Sequence, residues 1–146
     1  MSGEVEFVDT NVIYYAHDRS AGEKRDAARD LLELLDADGR GALSIQVLQE
    51  LAATILSKGE IDLRREDLEG IIEDLSDWTV FSPAPEDIIE ALRLRTRYRL
   101  SFWDAMIVHA AREVGAAILW SEDLSDGQDY GGVVVRNPFS GKPVVR

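Results

Sequence analysis

Five short apolar segments alternate with longer segments of helical periodicity, and this alternation constrains the fold more than any other feature of the chain. In the longer segments apolar residues recur every three or four positions, which is typical of helices that bury one face. We expect strands at residues 5–8, 42–44, 78–81, 116–120 and 133–135. We expect helices at residues 12–16, 23–36, 44–57, 64–75, 85–99 and 101–115. Strands that alternate with helices predict an α/β fold around a mostly parallel five-stranded sheet, with helices on both faces.

The length and composition of the chain limit what it can do. At 146 residues we expect a single domain over 1–146, and without an apolar leader or spanning segment we expect a cytoplasmic protein that makes no use of a membrane. The absence of Cys excludes disulfides and a thiol nucleophile, and only two His residues are present. The net charge of -12 argues against a simple basic nucleic-acid-binding module. It leaves room for an enzyme whose acidic cluster is neutralised by bound cations.

The first predicted strand ends in an acidic residue, Asp9, which is followed closely by Asn11. In open parallel sheets, ligands bind at the carboxyl ends of the strands, where the chain turns into helices. Asp9 is therefore a candidate site residue. The alternative is that Asp9 accepts hydrogen bonds within the turn and that Asn11 caps the next helix, and both roles are common.

Asp123 follows the fourth predicted strand in the sequence Trp120-Ser121-Glu122-Asp123. If the first and fourth strands are neighbours, Asp9 and Asp123 lie at adjacent carboxyl ends of the sheet. The alternative for Asp123 is an ordinary polar loop after a buried strand.

Asp104 belongs to a helix that is apolar at nearly every position between Phe102 and Ala111. Such a helix should be largely buried. A carboxylate that is buried without a partner costs on the order of several kcal/mol of folding free energy. The segment that begins at Ser101 also matches a capping box, in which Asp104 would reach back to a backbone N–H. This structural role does not preclude a second one.

Periodicity assigns Glu50 to the solvent, because it lies opposite the apolar stripe of its helix, on the same side as Gln46. We interpret His109 as a helix residue with no special role. The basic run between Arg93 and Arg99 is more typical of a solvated helix end than of a phosphate-binding track.

Four acidic residues in this order resemble those of PIN-domain ribonucleases, and the resemblance covers nearly the whole chain. Its motifs are Val8-Asp9-Thr10-Asn11, Gln46-Val47-Leu48-Gln49-Glu50, Ser101-Phe102-Trp103-Asp104-Ala105 and Leu119-Trp120-Ser121-Glu122-Asp123-Leu124. The ending, with Asp126-Gly127-Gln128 and Val135-Arg136-Asn137-Pro138-Phe139, is similar to bacterial toxins of the virulence-associated-protein C type. Each motif alone is weak, whereas the ordered set is fairly specific.

The resemblance implies a PIN-like three-layer sandwich and an endoribonuclease that depends on Mg²⁺ or Mn²⁺, the toxin of a type II toxin–antitoxin pair. The residues that match the metal-binding acids of the family are Asp9, Glu50, Asp104 and Asp123. Those that match supporting positions are Asn11, Ser121 and, as an optional member, Asp126. The implied partners are an RNA substrate, a cognate antitoxin and a second copy of the chain. Hard divalent cations prefer oxygen ligands and lower the pKa of a bound water, as phosphodiester hydrolysis requires.

Two alternatives remain open at this point. A haloacid-dehalogenase-like phosphatase also has an Asp at the end of a strand, but Asn11 occupies the place of the second Asp that this chemistry needs. The other alternative is a non-catalytic PIN-like binding module with a degenerate site, against which the presence of all four acids counts.

Overall fold

The computed structural model describes residues 4–141, which contain one five-stranded sheet and six α-helices. The strands are β1 (Glu6–Val8), β2 (Gly41–Ser44), β3 (Thr79–Phe81), β4 (Ile118–Trp120) and β5 (Val134–Arg136). The helices are α1 (Thr10–Ala16), α2 (Glu23–Asp38), α3 (Ile45–Lys58), α4 (Arg65–Leu75), α5 (Pro85–Tyr98) and α6 (Phe102–Glu113). A short 3-10 helix, Arg19–Ala21, lies between α1 and α2. The expected strands and helices are confirmed to within a few residues.

All strand pairs of the sheet are parallel, in the order β3-β2-β1-β4-β5. In the centre of the sheet Phe7 of β1 pairs with Ala42 of β2 on one side and with Leu119 of β4 on the other. The expectation of a mostly parallel sheet is confirmed, and within residues 4–141 no strand of the sheet is antiparallel.

Helices cover both faces of the sheet. Every residue of β1 and β2 is buried, so side chains that point to either face are shielded from water. Phe7, Leu43, Leu119 and Val135 have no exposed surface and form part of one continuous core. Right-handed crossovers put the helices that follow β1 and β2 on one face, and α5 and α6 on the other. The contacts of α1 with α2 and α3, and of α5 with α6, agree with this arrangement.

The strand order creates a crevice between β1 and β4. From β1 the chain moves to β2 and β3 in one direction, and it later returns to β4 and β5 on the opposite side of β1. At such a reversal the connecting segments diverge to opposite faces, which opens a crevice at the carboxyl ends of the two strands. The residues that immediately follow β1 and β4 therefore lie at this crevice.

Local capping groups fix the starts of the two helices that border this crevice. The Ser44 hydroxyl accepts a hydrogen bond of 3.3 Å from Val47 N at the start of α3. The Ser101 hydroxyl accepts one of 3.1 Å from Asp104 N at the start of α6. Each cap satisfies a backbone donor that the first turn of a helix leaves without a partner. Among residues 4–141, no helix has both the length and the apolar character needed to cross a membrane.

Candidate active site

The segments that follow β1 and β4 lie side by side, as the sequence predicted. Val8 pairs with Trp120, and the backbone N–H of Asp9 continues the ladder by donating to Trp120 O at 2.9 Å. This register brings Asp9 next to Ser121, the first residue after β4. The site therefore begins at the crevice that the strand order creates.

Asp9 is held firmly at the N-terminus of α1. The residue is 5% exposed, and its Oδ1 accepts a hydrogen bond of 2.7 Å from Thr10 N. Its Oδ2 accepts a hydrogen bond of 2.8 Å from the fully buried hydroxyl of Ser121. Asp9 is also the N-cap of α1, so the capping role considered for it is present. Both carboxylate oxygens are thus oriented by the chain before any ligand arrives.

Asn11 and Ser121 connect Asp9 to Asp123. The side-chain amide Nδ2 of Asn11 lies 3.3 Å from Asp9 Oδ2 and 3.1 Å from Asp123 Oδ2. The Asn11 Oδ1 accepts a hydrogen bond from Glu122 N at 3.0 Å, which fixes which way the amide faces. The hydroxyl of Ser121 in turn accepts one from Asp123 N at 3.1 Å. The structure thus gives two of the three predicted supporting residues, Asn11 and Ser121, direct contacts with both acids.

Glu50 faces the same crevice, although periodicity alone assigned it to the solvent. Its Oε1 accepts a hydrogen bond of 2.7 Å from the Thr10 hydroxyl, and its Oε2 one of 3.3 Å from Gln46 Nε2. Gln46 is only 8% exposed and also donates to Trp103 O at 3.2 Å. The polar side of α3 therefore faces a polar cleft instead of bulk solvent. A helix side carries polar residues in either environment, so periodicity cannot distinguish the two.

Asp104 lies in the first turn of α6, where the Ser101 hydroxyl caps the helix. Its backbone N–H makes the capping hydrogen bond, but among the described hydrogen bonds its carboxylate makes none to the backbone of Ser101. Only one half of the capping box is therefore present. The carboxylate is half-buried and lines the crevice.

These acids share one open cleft of about 630 Å³. The predicted residues that line it are Asp9, Asn11, Glu50, Asp104 and Asp123. The sequence patterns did not single out several other lining residues, notably Thr10, Gln46, Trp103 and Glu122. The sequence signal for this polar side of the cleft was Gln46, which lies one helical turn before Glu50 on the same side of α3. Asp126 does not line this cleft, and its Oδ1 accepts a hydrogen bond of 3.0 Å from Asn137 N.

The cleft holds negative charge at a cost. Burial raises the pKa of Asp9 from 3.8 to about 7, and the charges of Glu50 and Asp123 add to this effect, against the hydrogen bonds from Ser121 and Thr10. Burial also raises the pKa of Asp104, with a further contribution from the charge of Asp123. Within residues 4–141, none of the four acids forms an ion pair with Lys, Arg or His. A bound cation would offset both the cost of burying these carboxylates and their mutual repulsion.

The donor set fits a hard divalent cation such as Mg²⁺ or Mn²⁺. It consists of carboxylate oxygens with no His or Cys in the cleft lining. Within the part of the chain that the structure describes, only Asp87, His109 and Glu113 bring three His, Asp or Glu ligand atoms within 4.8 Å of one another. The acids of the cleft are spaced more openly, which suits an ion that keeps several of its water ligands.

His109 has a structural contact that its sequence position did not predict. It is buried in α6, and its Nε2 lies 2.8 Å from Asp87 Oδ1 in the first turn of α5. The other oxygen of Asp87 accepts a hydrogen bond of 2.7 Å from Ala84 N. Both oxygens of Asp87 therefore have partners within the fold, and the contact joins α5 to α6.

Comparison with known protein families gives one match relevant to this site. The family model described as PIN domain matches residues 7–125, a stretch that includes all four acids of the cleft. A comparison with curated protein sequences gave no match.

Several solved structures share the fold. A toxin–antitoxin complex from Klebsiella pneumoniae is similar with a TM-score of 0.66 at 21% identity, over 92% of this chain and 98% of the other. VapBC2 from Rickettsia felis, bound to a promoter DNA fragment, gives a TM-score of 0.66 at 20% identity, over 91% and 98%. VapC20 from Mycobacterium tuberculosis, described as a toxin that cleaves the sarcin-ricin loop, gives 0.61 at 18% identity, over 81% and 91%.

Proposed function

The chain belongs to the PIN domain family, and on this premise we propose that it is a metal-dependent endoribonuclease and the toxin of a toxin–antitoxin pair. The observation that carries the proposal is the cleft itself. Four acids from distant parts of the sequence share it and form no ion pair among the described residues, since Lys58, which also lines the cleft, lies over the Tyr14 ring instead. The most buried of the four, Asp9, is the one with the strongly raised pKa. Such an arrangement is costly for folding and is typical of functional sites.

The proposed division of roles follows from the contacts. Asp9, Asp104 and Asp123 would hold Mg²⁺ or Mn²⁺, directly or through water, while Asn11 and Ser121 keep the first and last of these in place. When bound, the cation supplies positive charge for the phosphate oxygens and lowers the pKa of water. Ser121 is fully buried and has partners on both sides, so its part is to position Asp9 and Asp123.

Glu50 is the candidate for the residue that orients the attacking water. Its two oxygens are held by Thr10 and Gln46, so the direction of its remaining lone pairs is fixed. A carboxylate held in this way can accept a hydrogen bond from water on the side of the scissile phosphate. Attack in line with the leaving oxygen then breaks the phosphodiester bond. Substitution of Glu50 is expected to abolish cleavage, whether its carboxylate orients the water or serves as a further metal ligand.

The test is metal-dependent cleavage of structured RNA by the purified chain. Cleavage should require Mg²⁺ or Mn²⁺, disappear in excess chelator and return when metal is added. Asp9→Asn should abolish it, whereas Asp30→Asn, an exposed carboxylate on α2, should leave it unchanged. Full activity in excess chelator would contradict the proposal.

The same preparation separates the two alternatives. Turnover of p-nitrophenyl phosphate without RNA cleavage would indicate the phosphatase. That alternative lacks support in the family match and in Asn11, whose amide donates to two carboxylates instead of supplying an acid. RNA binding without any cleavage would indicate the non-catalytic module.

We also propose two protein partners. Two of the similar structures are toxin–antitoxin complexes, which supports a cognate antitoxin for this chain. A homodimer is supported by three exposed apolar side chains on α5, Ile88, Ile89 and Leu92, which a second copy would cover. Sedimentation of the purified chain, compared with an Ile89→Glu variant, tests the dimer.

A further inference from the structure

A second pocket, of about 340 Å³, lies beyond the end of α1 and is lined by basic side chains. His17 ends α1, Arg19 belongs to the 3-10 helix, and Arg25 and Arg29 come from α2. Apolar side chains form the rest of the lining, together with one carboxylate, Glu33. Three guanidinium groups facing one carboxylate leave the pocket positive in a chain whose net charge is -12.

The three arginines of this pocket have unused hydrogen-bonding capacity. Within residues 4–141, the side chains of Arg19, Arg25 and Arg29 form no ion pair, and the Nε of Arg25 is buried without an acceptor. By contrast, Arg40 and Arg65 each pair with two carboxylates. A buried donor without an acceptor costs about 1–3 kcal/mol, so a bound anion that accepted hydrogen bonds from this cluster would be favoured.

The state of His17 is consistent with a positive field in the pocket. Burial lowers the pKa of His17, and the charges of Arg29 and Arg25 lower it further. The charges of both arginines therefore reach the imidazole of His17. Among the described residues, neither arginine forms an ion pair with a carboxylate of the pocket.

The pocket adjoins the active cleft. His17 and Arg19 line the pocket, and Asp18, the residue between them, lines the cleft. Consecutive Cα atoms are about 3.8 Å apart, so the linings of the cleft and the pocket come within one residue of each other at the end of α1. An RNA strand that leaves the cleft past Asp18 would encounter this basic cluster next.

We propose that the pocket formed by His17, Arg19, Arg25 and Arg29 binds a backbone phosphate of the RNA outside the active cleft. This inference rests on the proposed ribonuclease function. Arg forks match phosphate oxygens in geometry and charge, and the acidic remainder of the surface repels the RNA backbone. The pocket would thus supply affinity without reading sequence, since phosphate contacts position a nucleic acid and do not specify bases.

The first experiment measures binding without cleavage. A labelled single-stranded RNA is titrated with protein in excess chelator, and its anisotropy is followed at several salt concentrations. Arg25→Gln with Arg29→Gln should weaken binding by about tenfold at low salt and reduce the salt slope by about 0.7, the value for one phosphate of a single strand that the variant no longer neutralises. The matched control, Arg93→Gln with Arg97→Gln, changes the net charge equally at two exposed arginines of α5, which do not line the pocket, and should do neither.

The second experiment uses the imidazole as a reporter of the pocket. The chain has two His residues, so the NMR signal of His17 can be assigned by comparison with a His109→Gln variant. RNA should raise the pKa of His17 in the original chain, because a phosphate offsets the charges of Arg25 and Arg29. It should not do so in the double variant. Arg29→Gln alone, at an exposed position, provides a second variant if the double variant is unstable.

The outcomes separate this inference from the proposed function. Equal RNA affinities and equal salt slopes for the double variant and its control would overturn the pocket assignment, even with normal cleavage. A His17 response to polyglutamate but not to RNA would also overturn it, in favour of an acidic peptide site. Pocket-dependent binding in chelator, combined with no cleavage under any metal, would contradict the ribonuclease and leave the phosphate site standing.

Discussion

The hydroxyl of Thr10 donates a hydrogen bond of 2.7 Å to Oε1 of Glu50, and this contact links the N-terminus of α1 to the polar side of α3. The two residues are 40 positions apart in the chain. The same Thr10 donates its backbone N–H to Asp9 at 2.7 Å. One residue therefore sets the positions of two of the four acids.

Replacing Thr10 by Val should reduce catalysis more than stability. Valine keeps the shape of the side chain and the backbone donor to Asp9, but leaves Glu50 without its shorter hydrogen bond. A hydrogen bond to a charged group is worth about 1.5–3 kcal/mol, so kcat should fall by about 10- to 100-fold while KM for RNA changes little. Thr96→Val, which removes a hydroxyl on α5 remote from the cleft, is the control. An unchanged kcat would show that Glu50 does not depend on this contact.

The stability of the metal-free protein should fall as the pH rises from about 4 to about 7. Burial raises the pKa of Asp9 from 3.8 to about 7, so in this window the folded chain keeps a proton that the unfolded chain releases. Ionised Asp9 then costs on the order of 4 kcal/mol above pH 7. Asp9→Asn removes this cost, and in chelator the variant should be more stable than the original at pH 8 and equally stable near pH 4.

Denaturant unfolding at a series of pH values measures this difference directly. Asp30→Asn, at an exposed carboxylate of α2, is the control. The difference in unfolding free energy between this variant and the original chain should not grow as the pH rises from 4 to 8. If Asp9→Asn is the less stable protein at pH 8, the cost inferred for the buried charge of Asp9 is wrong.

Replacing Asp104 by Asn should separate metal binding from helix capping. Burial and the charge of Asp123 raise the pKa of Asp104, so removing its charge relieves repulsion in the metal-free protein. We expect little change or a small gain in metal-free melting temperature, a smaller Mn²⁺-induced shift, and a loss of cleavage by about 100-fold or more.

Ser101→Ala is the matched control for Asp104→Asn. It removes the hydroxyl that caps α6 and that also lowers the pKa of Asp104, and it should cost about 0.5–2 kcal/mol of stability, while the Asp104 carboxylate and the metal-induced shift remain. An Asp104→Asn protein that keeps both its Mn²⁺ shift and its activity would remove Asp104 from the site.

A basic side chain of the proposed antitoxin should compete with the metal for the cleft. The carboxylates of Asp9 and Asp104 line the cleft without a cationic partner among the described residues, and an Arg fork suits such a pair. Inhibition should weaken as Mn²⁺ is increased, and it should disappear when the contacting Arg or Lys of the antitoxin becomes Gln. Inhibition that survives replacement of every basic residue in the contacting segment would exclude this mode.

The sheet and the positions of Asp9 and Asp123 at its edge could be predicted from sequence because their signals are local. When a buried strand is followed by an acidic residue, that residue is expected at the edge of the sheet, regardless of the rest of the chain. Asp9 and Asp123 both follow this rule. Glu50 could not be placed by periodicity, because a helix side that faces a polar cleft has the same composition as one that faces water. Only the family resemblance brought Glu50 to the site.

Features built from several segments were beyond the reach of the sequence. The basic run from Arg93 to Arg99 is the most conspicuous in the chain, yet Arg93 pairs with Glu90 at 2.5 Å. The pocket arginines are spread over two elements, and only the turn between α1 and α2 brings Arg19 and Arg25 together. The contact of His109 with Asp87 likewise depends on how α6 packs against α5.

The pairing of β1 with β4 has a consequence for the order in which the protein acquires activity during synthesis. Phe7 emerges from the ribosome well before its partner Leu119, which follows more than a hundred positions later. Asp9 then has no neighbouring Ser121, and Asp123 has yet to be made. At about 5–20 residues per second, the segment between these two strands takes on the order of 10 s to translate, and the cleft is incomplete during that time. A nuclease with this strand order cannot damage the RNA of the ribosome that is making it until the segment through β4 and Asp123 has been translated.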